Sequence, residues 1–205
     1  MTPQELATVV LQKAAEQSGT GRRFLVALAG PPAAGKSTLA ANLVTALGAG
    51  AKAVPMDGFH YDDAVLVARG ARDRKGAPDT FDVLGFLHLL RRLQTEPEVA
   101  IPLFDRALEI SRAGADIIGP EDRILVVEGN YLLFNEAPWD AARWLFDLTV
   151  WINVDVAELE RRLHLRWAEF GKTAAQAQAW IDGNDLPNIR RVIAGSGAAD
   201  LVLTP

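Results

Sequence analysis

The sequence predicts an α/β protein with a mostly parallel central sheet and helices on both faces. Three observations carry this. Apolar runs bounded by turn residues recur at 24–30, 51–57, 123–133 and 148–155, as in strands buried on both faces. Helix-patterned stretches lie between them, and such alternation marks parallel strands joined by crossovers. The 205 residues, 49% hydrophobic and 23% charged, suit one soluble globular domain over 1–205.

Residues 3–17 read as an amphipathic helix, with Thr2 as cap, Pro3 at the first position and Leu6, Val9, Val10 and Lys13 at helical spacing. "SGTGRR" breaks it. "FLVALAG" (24–30) is the first strand and "KSTLAANLVTALG" the helix after it, ending at Gly48. "AKAVPMD" (51–57) is a short strand, and "YDDAVLVARG" supports a helical turn or two. "ARDRKGAPDT" (71–80) is charged and rich in turn formers, and is expected to be mobile. "FDVLGFLHLLRRLQ" (81–94) is a helix with apolar residues at 83, 84, 87 and 90. "VAIPLF" (99–104) is a strand, "RILVVEGNYLL" begins with one, and "LTVWINVD" (148–155) is another. A charged helix covers 156–171, a further helical stretch 173–182, and "DLVLT" (200–204) closes as a strand. Segments 58–80 and 156–190 read as flaps on one core.

The net charge is −5, which argues against a broad nucleic-acid-binding surface. The chain has no cysteine, so disulfides, thiol nucleophiles and thiolate metal sites are out. The start lacks a basic n-region, and no apolar run approaches the ~18 residues of a membrane span. A cytoplasmic protein without nucleic-acid or membrane partners is the expectation; a homodimer is compatible with it.

"GPPAAGKST" matches G-x-x-x-x-G-K-[ST] at Gly30, Gly35, Lys36 and Ser37, after a strand and before a helix. In that setting phosphate sits on successive backbone N–H groups at a helix N-terminus. Pro31 and Pro32 donate none, so the donors fall to Ala33, Ala34, Gly35, Lys36, Ser37 and Thr38. Lys36 reaches the β/γ-phosphates and the Ser37 hydroxyl binds Mg²⁺. A nucleoside triphosphate and Mg²⁺ are therefore expected there. The loop alone does not separate a kinase from an ATPase or a GTP switch.

Glu128 ends a buried strand, where ligands collect in parallel sheets. It is either a Mg²⁺-holding acid or a plain strand-end glutamate. Asp57 ends another apolar strand. It is either the acid that takes a hydroxyl proton, as kinase aspartates do, or one half of an Asp-Gly turn.

Six stretches, "GPPAAGKST", "MDGFHYDD", "PDTFDVLGFLHLL", "PLFDRALEISR", "VVEGNYLL" and "GAADLVL", resemble in order the uridine kinase, phosphoribulokinase and bacterial pantothenate kinase family over about 20–205. They look most like its branch named for fructose transport system kinases. The resemblance implies a three-layer P-loop NTPase fold with a helical lid. It also implies transfer of the ATP γ-phosphoryl group to a hydroxyl of a small molecule. It makes Asp57 the base and Glu128 the Walker B-like acid, and sets Asp79, Phe81 and Asp82 against the acceptor.

In uridine kinases a tyrosine, a histidine and an arginine follow at the acceptor side. Here Phe104 replaces the tyrosine, Arg106 follows Asp105, and Glu109 stands near the expected histidine. Uridine recognition is therefore not expected. The chain is also short for the additions around a pantothenate kinase core. Asp57, Asp82 and Arg106 suit a sugar or polyol, fructose among them, and Phe59, His60 and Tyr61 extend from the same turn. In the helix at 156–171, Arg162 and Arg166 share a face. They either pair with Glu158 and Glu160 or, as the family implies, close a lid on the transferring phosphates. Arg190 and Arg191 could extend that lid, with Asn184 and Asn188 toward the acceptor, and "GAADLVL" near the adenine.

Other functions leave different marks. A GTP switch needs N-K-x-D, which is absent. An idle nucleotide-binding protein would not need Asp57. Transfer to a phosphate, as in nucleotide monophosphate kinases, needs no carboxylate base.

Overall fold

The computed structural model describes residues 1–17, 19 and 21–204; the break read at 18–23 falls partly on Ser18 and Thr20, outside the described residues. In chain order the elements are α1 (Pro3–Glu16), β1 (Phe24–Ala29), α2 (Lys36–Leu47), β2 (Ala51–Pro55), α3 (Asp63–Ala68) and α4 (Val83–Thr95). The hairpin β3 (Val99–Asp105) and β4 (Ile110–Ile118) follows. Then come β5 (Ile124–Gly129), β6 (Leu148–Ile152), α5 (Val156–Glu169), α6 (Ala174–Trp180), α7 (Leu186–Gly195) and β7 (Leu201–Leu203).

Five strands form a parallel sheet in the order β2-β5-β1-β6-β7. β1 is buried along its whole length. Its side chains alternate between two layers, as a strand's must. Phe24, Val26 and Leu28 pack with Leu6, Val10 and Leu43 of α1 and α2. Leu25, Ala27 and Ala29 pack with Phe86, Leu90 and Leu93 of α4. A third cluster joins α5 and α7, through Leu159, Leu163 and Ile189, to Ala34 and Ile152 at the sheet's carboxyl edge. Thr2 caps α1 in a reciprocal box with Glu5. Among the described residues no helix is long and apolar enough to cross a membrane.

The chain leaves β1 for β2, returns to place β5 between them, then crosses to β6. The reversal lies at the carboxyl ends beside β1, where α/β folds bind ligands. Register puts Glu128 opposite both Leu28 and Pro55 there.

Three expectations need correction. The second strand stops at Pro55, which has no N–H for the ladder, and Met56–Phe59 form a tight 3₁₀ turn. Segment 71–80 is not a loose loop. It holds two short 3₁₀ turns and is tied down by Tyr131 Oη to the Gly76 carbonyl, by Trp139 Nε1 to that of Pro78 (2.9 Å), and by Asn184 Nδ2 to that of Lys75 (3.1 Å). The strand at 99–104 does not join the parallel sheet but pairs antiparallel with β4, apart from it. β4 escaped notice because much of it is exposed and it carries Ser111, Arg112, Gly114 and Asp116 among its apolar residues.

This hairpin presses on the 56–59 turn. A Cβ on Gly58 would lie 2.3 Å from the Pro102 carbonyl oxygen, and Ser111 Oγ donates to the Gly58 carbonyl. The glycine of the "DGF" stretch is thus where two backbones meet.

Candidate active site

The phosphate loop leads from β1 into α2. Gly30 allows close approach to β6, since a Cβ there would be 3.0 Å from the Ile152 carbonyl oxygen. Ala33 and Gly35 take positive φ, 64° and 90°, which turns the backbone into a concave anion seat. The first-turn amides of α2 have no intrahelical partner. Ala34 differs from its neighbours: its amide donates to the Pro31 carbonyl (3.2 Å). Lys36 folds back, Nζ donating to the same carbonyl at 2.9 Å. Burial pulls its pKa down to about 8, against the pull of Glu128 and Asp57. Thr38 and Gly35 line the cleft beside it.

Ser37 Oγ donates to Glu128 Oε1 at 3.0 Å. Burial, then the nearby Asp57 charge, raises the Glu128 carboxyl. Among the described residues no three His, Cys, Asp or Glu side chains gather into a metal site of their own. A hydroxyl and one buried carboxylate beside a phosphate seat nevertheless suit Mg²⁺, which keeps waters and leans on substrate phosphates.

Asp57 lies on the turn just beyond β2, and Oδ2 accepts from the Arg106 guanidinium. Burial alone would raise its carboxyl; His60, Arg106 and Lys36 outweigh it and the net direction is down. Burial pushes His60 down to about 4, so it is neutral near pH 7, and Arg106 and Lys36 are the standing cations beside Asp57. His60 Nε2 is 4.0 Å from Asp57 Oδ1. Its ring stacks on Phe81 (centroids 4.0 Å) and lies 4.9 Å from Phe104, and its buried Nδ1 has no partner.

These groups line a cleft of about 790 Å³ between the phosphate loop and α5 to α7. Phe104, Arg106 and His60 stand on its wall. Phe59 and Asp82 do not: Phe59 packs on Phe86 (centroids 5.3 Å), and Asp82 caps α4, accepting from the Gly85 amide at 3.0 Å. Phe81 lies beneath His60, Asp79 pairs with Arg74, and the Arg69 guanidinium covers the Tyr61 ring. The "PDTFD" segment thus supports the His60 turn from behind.

The two lid arginines separate. Arg162 Nε donates to Glu158 Oε1 (2.7 Å), and Nη1 lies 3.3 Å from the Ala33 carbonyl oxygen. The Arg166 guanidinium lines the cleft with no ion pair or hydrogen bond among the described residues, only the Trp167 ring 5.9 Å away. Burial, then Arg106, lowers its pKa. Arg190 and Arg191 are turned away and exposed, Arg191 pairing with Glu136. Asn184 and Asn188 do reach the wall.

Sequence reasoning missed Lys75, Trp167 and Trp180 on that wall. Lys75 is buried by Asp63 and Glu109, partners no local pattern announces. Behind the loop a second hollow of about 390 Å³ is lined by Pro3, Leu39, Asn42, Ile152, Arg162 and Leu203, among others.

A phosphate loop, acids at or just past two adjacent strand ends and arginines of α5 across the cleft define a P-loop phosphotransferase. No protein-family model matches the chain. A Schizosaccharomyces pombe protein named "Putative uridine kinase C227.14" is 35% identical over 195 residues, 89% of this chain and 83% of that one. A pantothenate kinase of Sorangium cellulosum is 33% identical over 152 residues, 69% of this chain and 49% of that one. A crystal structure from Silicibacter sp. TM1040, described as a "putative fructose transport system kinase", superposes with a TM-score of 0.94 at 44% identity over 99% of each chain. The chain belongs to the uridine kinase, phosphoribulokinase and bacterial pantothenate kinase family, and is an ATP-dependent small-molecule kinase.

Proposed function

We propose that the protein transfers the γ-phosphoryl group of ATP to a hydroxyl of a small polyhydroxy compound, a sugar such as fructose or a related polyol. The observation that carries this is Asp57: a carboxylate just past a strand end, beside both the Lys36 ammonium and an open cleft. The acceptor oxygen forms its bond to Pγ while its proton passes to Asp57. The bond from Pγ to the β–γ bridging oxygen breaks, and its electron pair leaves with ADP.

Lys36 and Arg166 offset the charge on the transferring group, the latter from a lid that also excludes water. Arg162 braces the lid to the loop. Ser37 and Glu128 would hold Mg²⁺, which when bound neutralises charge on the β- and γ-oxygens. The hollow behind the loop supports an adenine site, with Leu203 from the "GAADLVL" stretch on its wall.

The test is ADP release from Mg·ATP with a panel of fructose, other sugars and polyols, their carboxylate and phosphate derivatives, nucleosides and pantothenate. Stimulation by a sugar or polyol supports the reading; stimulation only by nucleosides or pantothenate moves the acceptor class. No stimulation by any acceptor contradicts it.

A further inference from the structure

Asp57 is clamped by Arg106, and a carboxylate neutralised by a guanidinium is a weak proton acceptor. The guanidinium engages Oδ2 only, so drawing Arg106 away raises the basicity of Asp57 toward an arriving hydroxyl proton. The other anions of the Arg106 hairpin are engaged, Asp116 by Lys52 on β2. Asp105 accepts from the amides of Ala107 and Leu108, both at 3.1 Å, and faces Arg112. Glu109 is held by the buried Lys75 ammonium at 3.4 Å. The Asp57–Arg106 pair is also partly open to water, with 22% and 45% of its side chains exposed, so exchange for a better anion is cheap.

The space beside the pair is built for a ligand. Lys75 Nζ and Arg106 Cζ lie 5.2 and 5.8 Å from the Phe104 ring centre. The His60 Nδ1 atom is buried next to them with no partner, although buried polar atoms almost always have one. A neutral polyol hydroxyl can satisfy the imidazole but cannot replace a carboxylate on a guanidinium. A carboxylate or a phosphate can, since both match its fork.

Resting on the kinase reading above, we infer that the acceptor carries an anionic group, a carboxylate or a phosphate, on the same molecule as the reacting hydroxyl. Arg106 moves from Asp57 onto that group as the acceptor binds. Recognition of the acceptor and release of the base are then one event, and ATP hydrolysis without an acceptor is suppressed because the base stays paired with Arg106 and less basic.

The test compares acceptors in matched pairs with Mg·ATP: glycerate against glycerol, gluconate against sorbitol, and fructose 1-phosphate against fructose. In at least one pair the anionic member is expected to lead in kcat/KM by roughly 10- to 100-fold, the worth of a charge-assisted contact. Which pair leads tells carboxylate from phosphate. Arg106→Gln is expected to bring that ratio near one, chiefly by raising KM for the anionic member, and Arg106→Lys to fall between. The affinity for ATP in Arg106→Gln is expected to stay within a few-fold of the parent.

Equal or better use of the neutral members overturns the proposal and leaves the kinase reading standing. A weakened ATP affinity with the anion preference intact also overturns it, since Arg106 would then serve the nucleotide. No turnover with either member of any pair, nor with the wider panel, removes both.

Discussion

Gly58→Ala is the sharpest structural perturbation available at this site. The added Cβ would meet the Pro102 carbonyl oxygen at 2.3 Å and its carbon at 2.7 Å, where ordinary contact begins at 3.4 Å. Both obstacles are backbone, so relief requires the 56–59 turn and β3 to part by about 1 Å. Forcing a methyl into a packed contact of this kind costs about 1–3 kcal/mol. For a chain of this size that lowers Tm by roughly 2–12 °C. The same displacement moves Asp57 against Arg106 and the phosphate loop, and a 1 Å misplacement of a reacting group costs on the order of 10²-fold in rate. Thermal melts followed by circular dichroism, with kcat on the best acceptor, measure both. Gly183→Ala, in a helical turn with nothing within 4 Å of the new methyl, is the control and should not lower Tm. A Gly58→Ala protein with unaltered Tm and kcat would refute the packing of hairpin on turn.

Two further outcomes follow from the charges. The kcat/KM for ATP should fall as pH rises through about 8, because Lys36, lowered to about 8 by burial, loses the proton that makes it a phosphate ligand above that pH; a flat profile to pH 10 would contradict this. Arg166→Gln should lower kcat by roughly 10²- to 10³-fold with little change in ATP affinity, whereas Arg162→Gln should act more weakly and chiefly on KM for ATP, as steady-state kinetics would read.

The phosphate loop was legible because its chemistry is backbone chemistry at fixed spacing, and the six stretches carry the family resemblance by themselves. Buried runs announced the sheet for a related reason: β1 is apolar on both faces. Asp82 shows the limit. An aspartate before an amphipathic run is a helix cap by local rules, and it caps α4, although the resemblance set it against the acceptor. The Arg106 clamp on Asp57 joins residues 49 apart through a hairpin whose second strand is only partly buried, so no local pattern carried it. Lys75 likewise owes its burial to Asp63 and Glu109 from different elements.

The account stands or falls on Asp57 as the base. The direct measurement is kcat for acceptor-dependent ADP release by Asp57→Asn, with ATP affinity measured separately by calorimetry. Asparagine keeps the shape but takes no proton, so kcat should fall by roughly 10²- to 10⁴-fold while ATP binding persists. Turnover within a few-fold of the parent would contradict the account.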